Sequence, residues 1–480
     1  MMSKITIDPV TRLEGHGKIE IFLDDEEEVK GAYLQVPELR GFEKFCEGRR
    51  AEDMPTITSR ICGVCREAHY LASTKTLDSA FGVTPTETAT KLRELVYNAY
   101  IFSDHLLHLY FLAGPDYLVG WNAPKAERNI LGVIKKVGKD VGKRVIETRA
   151  KVTKIIEILG GKPIHPAFGI PGGVTKGLDE EEFEQVKVIA DSCVEFAEFT
   201  YKLFKTSVFK EVDQEGKLET YYMGLVDDKD RVSFYDGEVR VVDPEGKEFC
   251  RFGFDYLDYV KEHVEPWTYV KFPYLKPVGW KGFKDGKDSG IYKVGPIARL
   301  NVAKGMKTKL ANEAYKEFFE EHERPAHFTG AYIQARAIEL LQAAERIKEL
   351  SEDKTLLNKD LRNPDLKTPS RGVGITEAAR GTLFHDYTFD EQGLVRKVNL
   401  IVPTTQNSSP ISMTVRDSAK RYIKKGVVND GILNRIERDF RTYDPCFACA
   451  SHFIPGEEPL ELILRREDGT IFKRIKRGGA

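Results

Sequence analysis

Four of the seven cysteines form two C-x-x-C pairs, Cys62/Cys65 and Cys446/Cys449, whose inner members are 381 residues apart. Zinc ribbons and fingers place their second ligand pair within roughly 12–20 residues of the first. Pairs this far apart can share a site only if one large fold brings both ends of the chain together. In a large chain of this kind, such pairs more often mark metal or redox chemistry than a disulfide framework. Four thiolates form a soft, electron-rich ligand set that favours zinc, iron–sulfur or nickel chemistry over calcium or magnesium. On spacing alone, a structural zinc, an iron–sulfur cluster and a catalytic metal centre all stay open. Cys46, Cys193 and Cys250 are isolated and read as packed thiols, because free cysteine behaves as a small buried hydrophobe.

The chain is long enough for such a fold: 480 residues, 41% of them hydrophobic, is about three times the ~150 residues of an average domain. Its 73 basic residues nearly cancel 75 acidic ones, leaving a net charge of -2, so nucleic acid is not an expected partner. The N-terminal stretch MMSKITIDPVTRLEGHGKIEIFL alternates apolar and polar residues and lacks the basic segment and apolar block of a signal peptide. No apolar run reaches the ~20 residues needed to cross a bilayer. A cytoplasmic protein with no membrane segment is expected.

Alternation in KITI, GKIEIFL and GAYLQV predicts two or three strands within residues 4–36, paired as an antiparallel sheet. TETATKLRELVYNAYIFSDHLLHLYFLAG has apolar residues at three- and four-residue steps, which predicts a long buried helix with Thr86 or Thr88 as cap and Gly114 as stop. Further helices are predicted at about 127–159, 179–205, 307–323, 329–350 and 415–440, strands across 220–276, and a solvated loop over 351–370. The tail EPLELILRREDGTIFKRIKR reads as a hairpin around Asp468-Gly469. The fold class is α+β, mainly helical, with a small N-terminal antiparallel sheet and a strand-rich insertion. Both C-x-x-C pairs lie at the edges of helical segments.

Other segments carry chemistry-bearing residues. PVTRLEGHGKIEI holds Glu14 and His16, and SRICGVCREAHYLAS holds His69 after its cysteines. ELRGFEKFCEGR holds Glu43, FSDHLLHLYF holds Asp104 and GITEAARGTLFHDY holds Arg380. TYDPCFACASH places Asp444 and His452 around the second pair. Each alone reads as a surface or capping residue. In this order, RxEGH, RICGVCxxxH and DPCxxCxxH resemble the large subunit of a [NiFe]-hydrogenase, and the resemblance runs from Asp8 to the tail. HPAFGIPGGV, VGPIARLNV and VPTTQNSSP agree with it. One departure is EAARG, with Ala379 where the family commonly has proline; it alters the pocket lining and leaves Arg380 in place.

The resemblance implies one domain over 1–452 with the hydrogenase large-subunit fold and its long central helices, catalysing reversible heterolytic cleavage of H2. It implies Cys62 and Cys446 as terminal nickel ligands, and Cys65 and Cys449 as bridges to an iron carrying cyanide and carbon monoxide, a Ni-Fe(CN)2(CO) centre. Cys446 is then the base that receives the proton and Glu14 relays it. Arg380 faces the open metal position, oriented by Asp104 and Asp444, and Thr404 donates to a cyanide nitrogen. Glu43 and His452 become ligands of a second, hard cation near the C-terminus, magnesium or iron. His16, His69 and His165 stand between support of the site and plain packing.

Three scattered cysteines cannot build an iron–sulfur wire, so the resemblance also calls for a small subunit that carries the clusters, docked over an extensive interface. Length and segments such as VGPIARLNVAKGM are most similar to the cytoplasmic methyl-viologen-reducing, F420-non-reducing type. That type feeds heterodisulfide reductase through an electron-transfer subunit in methanogenesis. NAD(P)-linked and F420-reducing large subunits are the alternatives within the family. A structural zinc protein and a nickel-free relative from a proton-pumping complex are the alternatives outside it. Residues 453–480 are expected to be a maturation extension that a dedicated endopeptidase removes after His452.

Overall fold

The computed structural model describes residues 4–212, 214, 216–451, 460–466 and 470–477. Lys4–Ile7, Lys18–Leu23 and Val29–Gln35 form the expected antiparallel sheet in chain order. Its register lines up Ile7, Ile19 and Leu34, all buried, so one apolar row crosses the three strands. That sheet lies against the helix Ser408–Tyr422.

Five long helices build the core: Arg66–Ala80, Glu87–Leu107, Lys139–Gly160, Glu180–Ser207 and Ala331–Ser351. Thr86 caps the second, its Oγ1 accepting from the Ala89 amide at 3.2 Å, and Asp179 with Glu182 forms a capping box on the fourth. Ala331–Ser351 packs between Glu87–Leu107 and Glu180–Ser207 and is buried on nearly every face.

Three helix boundaries differ from the sequence reading. Beyond Leu107 the chain does not stop at Gly114 but keeps winding in wider turns through His108–Leu112 and Pro115–Gly120, with the Ala113 amide bonded to the His108 carbonyl at 2.9 Å. Such wide turns are frequent at functional sites. The helix expected at 127–159 is two, Ile130–Val137 and Lys139–Gly160, broken at Gly138 with φ 98°. The one expected at 415–440 is also two, Ser408–Tyr422 and Asp430–Arg441. Lys425 and Gly426 take left-handed backbone between them, and Asn429 caps the second helix.

The strand-rich insertion holds Tyr221–Val226, Glu238–Val242 and Glu248–Phe252 in one sheet and Val260–His263 with Phe272–Leu275 in a hairpin. Residues 351–370 are irregular apart from the turn Lys354–Leu357. After them comes an antiparallel sheet that the pattern did not reveal, Arg371–Ala378, Gly381–Phe389 and Val395–Ile401. Helix Arg66–Ala80 lies directly on its first strand. A Cβ at Gly374 would stand 2.3 Å from the Ala72 carbonyl oxygen, so glycine is what permits this contact. The tail strands Leu460–Arg465 and Ile471–Arg477 pair as the expected hairpin, and the Asp468-Gly469 turn lies outside the described residues.

Candidate metal centre

Both C-x-x-C pairs cap helices, and the fold brings them together. Cys65 is the N-cap of Arg66–Ala80, and the amides of Val64 and Cys65 lie 3.2 and 3.4 Å from Cys62 Sγ. Cys446 is the N-cap of the single turn Phe447–Ala450. Sulfur separations are 2.9 Å for Cys65–Cys449, 3.1 Å for Cys446–Cys449, 3.3 Å for Cys62–Cys446 and 3.8 Å for Cys65–Cys446. All four thiols are buried and none is in a disulfide. Burial pushes the Cys446 and Cys449 thiols well above their ordinary range, while contact with the neighbouring sulfurs, that of Cys446 first, draws Cys62 well below it. As thiolates, four sulfurs this close in a dry pocket need cations between them. The donor set fits soft metal ions, for which metal–sulfur bonds of about 2.3 Å are usual.

The N-terminal motif builds the far wall of this pocket. Residue 14 lies beside residue 446 as an isolated parallel bridge, and the Phe447 amide donates to the Glu14 carbonyl at 2.9 Å. Glu14 Oε2 accepts from Cys446 Sγ and from the Ala448 amide, each at 3.0 Å. Burial pushes its carboxyl up, the Cys62 sulfur adds to this, and the contact with Cys446 pulls the other way. Gly15, at φ 84°, makes the approach possible, because a Cβ there would sit 2.8 Å from the Ala448 nitrogen. Arg12 anchors the motif, bonding the Leu112 carbonyl at 2.8 Å and Asp116 at 2.6 Å, while Arg441 takes the other oxygen of Asp116 at 2.9 Å.

Arg380 comes from a separate element. It occupies the two-residue tip, Ala379-Arg380, of the hairpin in which Ala378 pairs with Gly381. Its Nη1 donates to Asp104 Oδ2 at 3.0 Å, its Nη2 to Asp444 Oδ1 at 3.1 Å and its Nε to the Asp444 carbonyl at 2.8 Å. Asp444 presents both its carbonyl and its carboxylate because its backbone is left-handed, with φ 56°. Such backbone strain is characteristic of functional sites.

Comparison with known proteins decides between the metal chemistries. A family model described as nickel-dependent hydrogenase matches residues 40–139 and 226–452, and a HoxL-like model matches residues 4–39. This chain belongs to the nickel-dependent hydrogenases. An F420-non-reducing hydrogenase iron-sulfur subunit of Archaeoglobus profundus is 47% identical over 99% of this chain and 100% of its own length. The NAD-reducing hydrogenase HoxS subunit beta of Cupriavidus necator is 39% identical over 96% of each. A crystal structure of an NAD+-reducing [NiFe]-hydrogenase in the H2-reduced state superposes with a TM-score of 0.87 at 36% identity, covering 94% of this chain and 99% of that one. The protein is therefore the catalytic large subunit of a [NiFe]-hydrogenase, and a structural zinc protein no longer fits.

The remaining expected residues of this hydrogenase fall into three groups. Thr404 is at the site, its Oγ1 accepting from the Cys446 amide at 2.9 Å. Glu43 is buried, and its Oε1 accepts from the Leu400 amide at 2.7 Å. His452 lies outside the described residues; the Arg40 amide bonds the Ser451 carbonyl at 2.7 Å, which brings the Glu43 segment beside the end of the second cysteine motif. Of the histidines, His69 is against the cluster, its Nε2 3.3 Å from Cys449 Sγ. His165 is partly exposed beside Ser59, and His16 pairs with Asp8 at the surface.

Several site residues were not legible in the sequence. His385 lies 3.0 Å from His69 Nδ1 and Tyr387 lies behind it, both within the quoted GITEAARGTLFHDY and its continuation along one strand. Glu67 is sealed below a cavity of about 200 Å³ that Gly63, Tyr100 and Asp104 also line, and burial pushes its carboxyl up to about 7. Cys46 and Cys193 are fully buried thiols and Cys250 is partly so, as expected. Among the described residues no helix is long and apolar enough to cross a membrane.

Proposed function

We propose that this hydrogenase holds a nickel–iron centre on its four cysteines, with Cys62 and Cys446 as terminal nickel ligands and Cys65 and Cys449 as bridges to an iron carrying cyanide and carbon monoxide. The observation that carries the reading is the placement of a carboxyl, Glu14 Oε2, 3.0 Å from Cys446 Sγ. The shortest sulfur pair, Cys65–Cys449 at 2.9 Å, suits two ligands shared between metals. When bound, the centre splits H2 heterolytically and takes up its two electrons. Cys446 Sγ is the base that receives the proton, and Glu14 relays it from Oε2, since burial raises its affinity for a proton toward what a relay needs. Arg380, a rigid planar donor held by Asp104 and Asp444, supplies positive charge over the open position. Thr404 accepts from the Cys446 amide and keeps its own hydroxyl proton to donate to a cyanide.

Electrons leave through a small subunit that carries iron–sulfur clusters, because the three unpaired cysteines lie on separate elements. In the F420-non-reducing type the acceptor beyond it is heterodisulfide reductase, reached through an electron-transfer subunit in the cytoplasm. Glu43 and His452 hold a magnesium or iron ion near the C-terminus. Residues 453–480 are removed by an endopeptidase after loading, which frees the carboxylate of His452. The test is the purified complex under H2. Methyl viologen reduction, nickel and iron in each chain, and infrared bands of cyanide and carbon monoxide are expected together, with an intact mass ending at His452. Nickel-free protein without those bands would overturn the metal assignment, and full nickel on a chain ending at Ala480 would overturn the cleavage.

A further inference from the structure

The contacts that hold Arg380 do not end at Asp444. Behind that carboxylate lies Arg336, fully buried on Ala331–Ser351, with Nη1 3.2 Å from Asp444 Oδ2. Among the described residues Asp444 is its one ion-pair partner. The same nitrogen lies 3.1 Å from His105 Nδ1. A guanidinium can only donate, so Nδ1 is the acceptor, and the His105 proton sits on Nε2, 2.9 Å from Glu339 Oε2. Burial keeps this imidazole neutral, with its pKa pushed down to about 4. Glu339 takes Arg299 in a two-pronged pair, both contacts at 2.6 Å. Arg299 reaches on to the carbonyls of Ala378 at 2.9 Å and Ala379 at 3.1 Å, the two residues before Arg380. The contacts thus close on themselves, gripping Arg380 by its guanidinium at one end and by its backbone at the other. On the outer side, the Ala379 amide is tied to the Tyr100 hydroxyl at 3.3 Å.

Burying a guanidinium against one carboxylate is expensive, and an apolar residue of similar volume is often as stable or more so. A charge kept there at such cost is explained by what it touches. We propose that Arg336 is a positioning residue for the hydrogenase reaction, holding Asp444, and through it the Arg380 guanidinium, in one orientation. Helix Glu87–Leu107 serves both arginines from consecutive residues: Asp104 faces Arg380 and His105 faces Arg336. The inference rests on the reading of Arg380 as the side chain over the metal position.

The test is a double-mutant cycle in the purified complex, with H2-dependent dye reduction normalised to nickel. Arg336→Met is expected to lower kcat about tenfold with KM for H2 unchanged, and Arg380→Lys to lower it further. The double variant should be no slower than Arg380→Lys alone, because Arg336 acts only through Arg380. A crystal structure of the Arg336→Met complex should show the guanidinium withdrawn from its 3.0 Å contact with Asp104. Losses that multiply in the double variant, or an unmoved Arg380 at full activity, would overturn the proposal. If Arg336→Met does not assemble, Arg336→Lys serves the same cycle, since an ammonium reaches either Asp444 or His105 but not both. Full activity of Arg380→Lys by itself would instead overturn the role of Arg380, whatever the crystal structure shows of Arg336.

Discussion

Cys62 and Cys65 sit in a turn that organises itself, with the amides of Val64 and Cys65 aimed at Cys62 Sγ and a 15-residue helix beginning at Cys65. Cys446 and Cys449 have the same spacing and none of that support. Their helix is a single turn, and they are held by Glu14, more than 400 positions away in sequence, and by Thr404. Gly63, between the first two cysteines, is exposed, whereas every residue from Asp444 to Ser451 is buried. A long helix favours negative charge at its N-terminus, which suits the first pair as thiolates. The second pair has no long helix behind it and relies on Arg380, whose charge acts on Cys446 and also on Cys65 of the first pair. One motif therefore has two physical origins: the first pair is local structure, and the second is assembled by the fold.

Replacing a thiolate at either pair should have the largest effect. Cys62→Ser and Cys446→Ser are each expected to abolish H2 uptake, because a hydroxyl is a poor ligand for a soft metal; uptake retained in either variant would remove that residue from the ligand set. Glu14→Gln keeps the shape and the contact with the Ala448 amide but cannot carry a proton. Hydrogen–deuterium exchange should fall by about 100-fold or more at unchanged nickel content, and near-normal exchange would show that the proton leaves by another route.

Glycine substitutions separate the two pairs most sharply. Gly15→Ala forces a side chain into left-handed backbone and against the Ala448 nitrogen, at a cost on the order of 3 kcal/mol in unfolding free energy. Gly63→Ala meets nothing within 4 Å, and its effect should stay within about 0.5 kcal/mol. Equal effects would erase the distinction between a local and an assembled pair. Thr404→Val keeps the volume and strips the Cys446 amide of its acceptor, a loss of about 1–2 kcal/mol that denaturant titration resolves. No change there would mean that Thr404 does not position the second pair.

The same contrast governs what could be read from the sequence. The N-terminal sheet, the capped helix from Glu87 and both cysteine pairs follow from local signals: alternation, the Thr86 cap, C-x-x-C spacing. The sheet that carries Arg380 was missed because Gly381–Phe389 is buried on both faces and so shows no alternation. The break at residues 423–429 was missed because the helical period resumes on the other side. Arg336 and Glu339 belong to no motif within the helix predicted at 329–350, and only the burial of Ala331–Ser351 on nearly all sides turns them inward. Glu14 had no physical signal in its local sequence either; the resemblance carried by RxEGH named its role, and the meeting of the chain ends puts its carboxyl beside Cys446.

If both pairs hold one nickel-containing centre, nickel K-edge X-ray absorption on the intact complex will see them together. The expected result is a nickel shell of sulfur scatterers near 2.3 Å, supplied by all four cysteines and reduced by one sulfur in Cys446→Ser and in Cys62→Ser alike wherever metal is retained. A nickel shell of nitrogen and oxygen, or one that loses sulfur at one pair and is indifferent to the other, would contradict it.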